Sequence, residues 1–138
     1  MNPIRFLALA ALAGALATGC ASHTGDYAPQ QTNVGDQELT AKFVLMDPGA
    51  QQSITSAGLQ EKHLEDGRLQ VACILRNREN RRLQVQVQCV FKDAQGFATG
   101  DETPWENVIL TENSMETLNF TSLNDKASAY TIRVRQAR

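Results

Sequence analysis

Apolar residues fall on every second position through most of the chain after residue 38. This is the period of a strand with one buried and one wet face. Leu39, Ala41, Phe43 and Leu45 alternate with Thr40, Lys42 and Val44, and Asp47-Pro48-Gly49 stops that run. Residues 51–59 carry no clear period, and Ser56-Ala57-Gly58 argues against a long helix. Residues 60–65 read as a short polar strand ahead of a tight Asp66-Gly67 turn. The clearest alternation follows. Leu69, Val71, Cys73 and Leu75 share one face of residues 68–77. Leu83, Val85, Val87, Cys89 and Phe91 share one face of residues 83–92, with Gln84, Gln86 and Gln88 on the other. Residues 77–82 join these two as the loop of a hairpin, and Asp93-Ala94-Gln95-Gly96 is the next turn. Residues 107–110, 116–120 and 129–134 read as three more short strands. The pattern therefore predicts one all-β domain over residues 38–138, an antiparallel β-sandwich of about seven short strands.

The first residues follow a different rule. Arg5 is followed by eleven small and apolar residues, 6–16, and then by Ala17-Thr18-Gly19-Cys20. The apolar run is shorter than the roughly 20 residues needed to span a bilayer. It fits a secretory signal peptide over residues 1–19. Ala17-Thr18-Gly19-Cys20 resembles a bacterial lipobox, which implies cleavage between Gly19 and Cys20 and acylation of Cys20. Several acyl chains at about 0.8 kcal/mol per buried methylene make a permanent anchor to a lipid bilayer. Ala21 and Ser22 follow the cysteine, with no Asp there, which resembles an outer-membrane address. Residues 20–37 are polar, contain Gly and Pro, and read as a flexible tether spanning about 20–25 Å.

Charge narrows the partners. Removing residues 1–19, whose only charged group is Arg5, leaves 12 basic and 15 acidic groups, net −3. No block of like charges of the kind that binds nucleic acid is present. The densest basic spot, Arg76, Arg78, Arg81 and Arg82, is read as a solvated loop.

No catalytic constellation is legible. There is no Gly-x-Ser-x-Gly elbow and no Gly-rich phosphate loop. The paired carboxylates Glu65-Asp66 and Asp101-Glu102 fall in turns and are read as solvated. His23 and His63 are the only histidines, too few to suggest a metal centre. No cofactor is implied. Cys73 and Cys89 point to the same side of two strands expected to be neighbours. They are a candidate disulfide if the register pairs residues summing to 162, and two buried free thiols otherwise. Trp105 is the single tryptophan. It is either core packing or, if partly exposed, the anchor of an interaction surface.

The alternating segments 69–75 and 85–91, Asn77, Lys92-Asp93-Ala94-Gln95-Gly96, Trp105, Leu110, Thr117-Leu118 and Tyr130-Thr131-Ile132-Arg133-Val134-Arg135 resemble the YcfL-like family of periplasmic lipoproteins. The resemblance covers residues 38–138 together with the signal. It implies an immunoglobulin-like sandwich and a place in the cell envelope. Members are often encoded beside outer-membrane lipoproteins that activate peptidoglycan synthases. It carries over no catalytic residue. The expected function is thus non-enzymatic: a lipid-anchored module at the periplasmic face of the outer membrane that binds an envelope protein. The alternative is a structural anchoring component of a larger envelope or secretion complex.

Overall fold

A computed structural model describes residues 41–137. The signal segment, the Gly19–Cys20 cleavage site, acylation at Cys20, the tether and residues 38–40 lie outside the described residues. The described chain runs β1 (Phe43–Leu45), α1 (Pro48–Ser53), β2 (Ile54–His63), β3 (Leu69–Asn77), β4 (Leu83–Lys92), β5 (Glu106–Leu110), β6 (Met115–Thr121) and β7 (Ala129–Gln136). The strands form two sheets, one of four strands in the order β1-β7-β4-β5 and one of three in the order β2-β3-β6. The all-β sandwich expected from the alternation is present.

The core lies between the sheets. Leu69, Val71, Cys73 and Leu75 from β3 meet Val85, Val87, Cys89 and Phe91 from β4 and Tyr130, Ile132 and Val134 from β7. All are buried. Removing these side chains from water at about 25 cal/mol per Å² of apolar surface is the main force holding the two sheets together.

The expected hairpin between residues 68–77 and 83–92 does not form. β3 pairs with β2 and β6, whereas β4 pairs with β5 and β7. The intervening loop crosses from one sheet to the other. Period-two alternation records which face of a strand is buried, and both strands bury that face in the same core. It carries no record of the sheet to which each belongs. Cys73 and Cys89 consequently face the core from opposite sheets, and no strand register relates them. Both are fully buried free thiols.

Three further differences have local causes. Asp47-Pro48 does not merely stop β1 but starts α1. The Asp47 carboxylate accepts the Ala50 N–H at 2.9 Å, and Pro48 occupies the first turn. Six residues are too few to display a helical period. β2 begins at Ile54 rather than Gln60, because a bulge between Ser56 and Gly58 breaks its alternation. β1 shrinks to three residues and pairs with β7 in parallel, Phe43 opposite Ile132 and Leu45 opposite Val134.

Asn77 is the polar keystone of the sheet crossing. It is completely buried at the end of β3. Its amide nitrogen donates to the Arg81 carbonyl at 2.7 Å and the Thr111 carbonyl at 2.8 Å. Its side-chain oxygen accepts the Glu79 N–H at 2.9 Å. One side chain thereby fastens the β3–β4 crossing to the β5–β6 connection.

Candidate functional site

The outer face of the four-stranded sheet gathers the candidate binding residues. Register sets it up. β4 and β7 place Gln86 opposite Arg135 and Gln88 opposite Arg133, and β4 and β5 place Gln86 opposite Asn107. Val85, Val87 and Cys89 point the other way, into the core, so the intervening residues must face outward. The polar side chains are then joined across the strands. Arg135 Nε donates to Gln86 Oε1 at 2.9 Å, and Gln86 Nε2 donates to Asn107 Oδ1 at 3.1 Å. This belt holds each amide in one orientation.

Trp105 lies against the belt. It immediately precedes β5 and is half-buried. The Arg135 guanidinium carbon sits 3.9 Å from the centroid of its ring. Such a cation–π stack contributes about 0.5–1 kcal/mol at an exposed position. Its larger consequence is geometric, because a flat aromatic and a flat cation are presented together. Arg135 makes no ion pair among the described residues. Its charge is available to a carboxylate or another anionic group.

Beside this stack lies a groove of about 580 Å³ lined by Met46, Asp47, Gln86, Arg135, Gln136 and Ala137. The Asp47 carboxylate there is already committed to backbone. One oxygen caps α1 and the other accepts the Gln136 N–H at 2.7 Å. The groove therefore offers a guanidinium, amides and a methionine, with no activated nucleophile. These groups suit it to holding a polar surface.

The wet face expected for β4 is only half wet. Gln88 is buried. Its amide nitrogen donates to the Thr103 carbonyl at 3.0 Å, and its oxygen accepts from Arg133 at 3.4 Å. Lys92 is also buried, its ammonium donating to Thr131 Oγ1 at 2.7 Å, and that hydroxyl bonds to the Ala41 carbonyl at 2.9 Å. The open part of the face is thus the end holding Gln86, Asn107, Trp105 and Arg135.

The other sequence candidates are dispersed. His63 ends β2 and is exposed, with Nδ1 3.4 Å from the Gly67 carbonyl oxygen. No group of three or more potential metal ligands occurs among the described residues. Asp101 corrects the expectation of a solvated turn carboxylate. It is buried, accepting the Leu123 N–H at 2.8 Å and a hydrogen bond from the Thr99 hydroxyl. Asp66 is exposed and paired with Arg68 at 2.6 Å. The basic loop is partly neutralised by an Arg81–Glu79 pair. Burial pushes the Cys73 thiol up to about 12. Burial likewise raises Cys89, with smaller contributions from Cys73 and Asp101. Neither is a nucleophile near neutral pH.

Sequence reasoning singled out Trp105 but missed Arg135, Gln86 and Asn107 as its company. The alternating glutamines and the Arg133-x-Arg135 pair were visible as wet faces. Only the cross-strand register shows that they form one surface.

No helix of the described residues is long and apolar enough to cross a membrane. No curated protein matches the chain. Among solved structures, the chain is similar to Campylobacter jejuni cj0090, with a TM-score of 0.57 and 14% identity, covering 70% of this chain and 98% of that one. It is also similar to a DUF1425 family member from Shewanella sp. pv-4, with a TM-score of 0.57 and 20% identity, covering 67% of this chain and 86% of that one. At these identities the likeness establishes the fold alone. A family model described as a protein of unknown function, DUF1425, matches residues 36–136, and the chain belongs to that family.

Proposed function

We propose that this chain is a YcfL-like lipoprotein, tethered through acylated Cys20 at the periplasmic face of the outer membrane. It acts without catalysis, as a protein-interaction module for an envelope protein. The observation that carries the reading is the Trp105–Arg135 stack, set on a fixed amide belt beside an open groove. Tryptophan and arginine are the residues most enriched where interfaces concentrate their binding energy. Here both are held in place before a partner arrives, which lowers the ordering cost of association. The uncompensated guanidinium fits a partner that presents a carboxylate. The signal and lipobox patterns of residues 1–20 support the anchor, and the polar stretch 20–37 supports the reach.

The test is photo-crosslinking in intact cells from Ile109, which is exposed on β5 next to this face. The comparison position is Thr117, on β6 of the other sheet. A specific envelope protein captured from Ile109, absent from Thr117 and lost in Trp105→Ala/Arg135→Ala, is the expected result. Equal capture from both sheets, or capture indifferent to that double variant, overturns the assignment of the surface.

A second reading, a structural component of a larger envelope assembly, is favoured by β6. Its seven residues pair only with β3 among the described residues. An edge of that kind can accept a strand from a neighbour. Stoichiometric co-purification with several envelope proteins, retained in the Trp105/Arg135 variant, selects this reading.

A further inference from the structure

One end of the sandwich carries two large apolar side chains in water. Phe97 is 72% exposed and Leu123 is 79% exposed. They belong to two different loops, residues 93–105 after β4 and residues 122–128 before β7. The loops are bonded to each other, with the Leu123 N–H donating to the buried Asp101 carboxylate. A hydrogen bond from the Ser128 N–H to the Lys92 carbonyl closes the same end at 2.8 Å. The Asp66-Gly67 turn joins them there, since a Cβ at Gly67 would lie 3.0 Å from Asp125 Cβ. The two apolar groups are therefore mounted on a braced platform.

The same end receives the chain from its N-terminal side. Thr131 Oγ1 bonds to the Ala41 carbonyl, and the Ile132 N–H donates to the Lys42 carbonyl at 2.9 Å. β1 then runs parallel to β7, away from the loops. Forty residues precede this entry point, Cys20 among them. The chain thus enters the described domain at the end that carries Phe97 and Leu123, opposite α1 and the crossing loop at residues 78–82.

We propose that this loop end rests on the lipid surface, with Phe97 and Leu123 entering the interface. The proposal rests on the anchor at Cys20 inferred above and adds an orientation to it. The exposed charges around the two side chains select the kind of surface. With Asp66 paired to Arg68, the exposed Glu65, Glu102 and Asp125 exceed Lys62 and Lys126 there by one negative charge. A zwitterionic surface accepts this end, and a strongly anionic one repels it. The orientation leaves the Trp105–Arg135 face standing beside the membrane rather than against it.

The experiment uses the full chain as recovered from cells, mixed with vesicles of phosphatidylethanolamine and phosphatidylcholine. A nitroxide is placed at Gln95→Cys in the Phe97 loop, or at Arg82→Cys at the opposite end. The buried Cys73 and Cys89 are not labelled. Accessibility to oxygen and to a water-soluble nickel complex is then read for each label. The Gln95 label is expected to be shielded from nickel, and the Arg82 label to be fully accessible. Phe97→Ser/Leu123→Ser should lower the docked-to-free ratio by at least about tenfold, since each buried side chain of this size is worth more than a factor of ten. Phosphatidylglycerol should reduce the shielding. If the protein is found on vesicles with both labels equally in water, the orientation is overturned and the anchor stands. If the protein is not found on vesicles at all, the anchor fails, and the orientation with it. If the Gln95 label is in water while a crosslinker at Phe97 captures a protein in cells, the two apolar side chains serve a protein partner instead.

Discussion

Asn77→Ala is the sharpest test of how the two sheets are fastened. Asn77 is fully buried and makes three short bonds, to the Arg81 and Thr111 carbonyls and the Glu79 N–H at 2.7, 2.8 and 2.9 Å, with the Leu110 carbonyl a longer fourth partner at 3.4 Å. Truncation removes all three short bonds and opens a small void. At a net value of about 1 kcal/mol for each bond, the loss is about 3 kcal/mol. Rehydration of the Arg81 carbonyl, which sits in an exposed loop, lowers this, and the void raises it, so about 2–4 kcal/mol is expected. For a domain of this size that lowers Tm by roughly 10–25 °C. Urea titration followed by Trp105 fluorescence reads the change directly, because no second tryptophan contributes. Asn77→Asp is the companion. It keeps the shape and the acceptor for Glu79 but turns an oxygen toward the Arg81 and Thr111 carbonyls. Its carboxyl is held above its unfolded value. The Asp variant is therefore most handicapped at neutral pH, and it recovers toward wild type as pH falls below about 4, where the carboxyl is protonated in both states. A loss under about 1 kcal/mol in Asn77→Ala would refute the keystone role, given the sizes involved. So would an Asn77→Asp protein as stable as wild type at pH 7.

Three further outcomes are expected. Cys73 and Cys89 should resist thiol reagents at pH 8 in the native protein and react only as the domain opens, because burial raises both thiols; rapid native labelling would contradict their placement. Gly67→Ala should cost roughly 1–2 kcal/mol in urea unfolding, because Gly67 has φ +83° and its new Cβ would meet Asp125 at 3.0 Å. Glu79 is held below the usual carboxylate range by hydrogen bonds from Arg81 and Ser53. The stability it adds is present above its unfolded value and disappears as pH falls through the lowered folded one, so Glu79→Gln should flatten the acid limb of a stability-against-pH curve.

Much of the fold was legible because inward positions in β3, β4 and β7 are occupied by Leu, Val, Ile, Cys and Phe with little interruption. What was not legible has specific physical reasons. α1 is one and a half turns long and is announced only by its Asp-Pro cap. The first half of β2 is hidden by its bulge. β3 and β4 looked like partners because adjacency in sequence usually means adjacency in a sheet, yet they pack face to face across the core. The candidate site was legible in one residue. Trp105 stood out by its rarity, whereas Arg135 and Asn107 acquire meaning only when β7 and β5 are laid on either side of Gln86. Asp101 was misjudged because a carboxylate in a turn is usually hydrated, and here Thr99 and the Leu123 N–H replace that water.

The parallel pairing of β1 with β7 has a consequence for the order in which the molecule is assembled. The bond between Ala41 and Thr131 spans 90 residues, and closing so large a loop carries an entropic cost that nearer pairings avoid. During synthesis from the N-terminus the β1 segment precedes β7 and must wait for it. The three-stranded sheet needs nothing beyond residue 121 and can form first. β1 is then the last strand to be sewn in, and a chain whose synthesis stops before residue 129 leaves an unclosed sandwich with one edge of β4 unpaired.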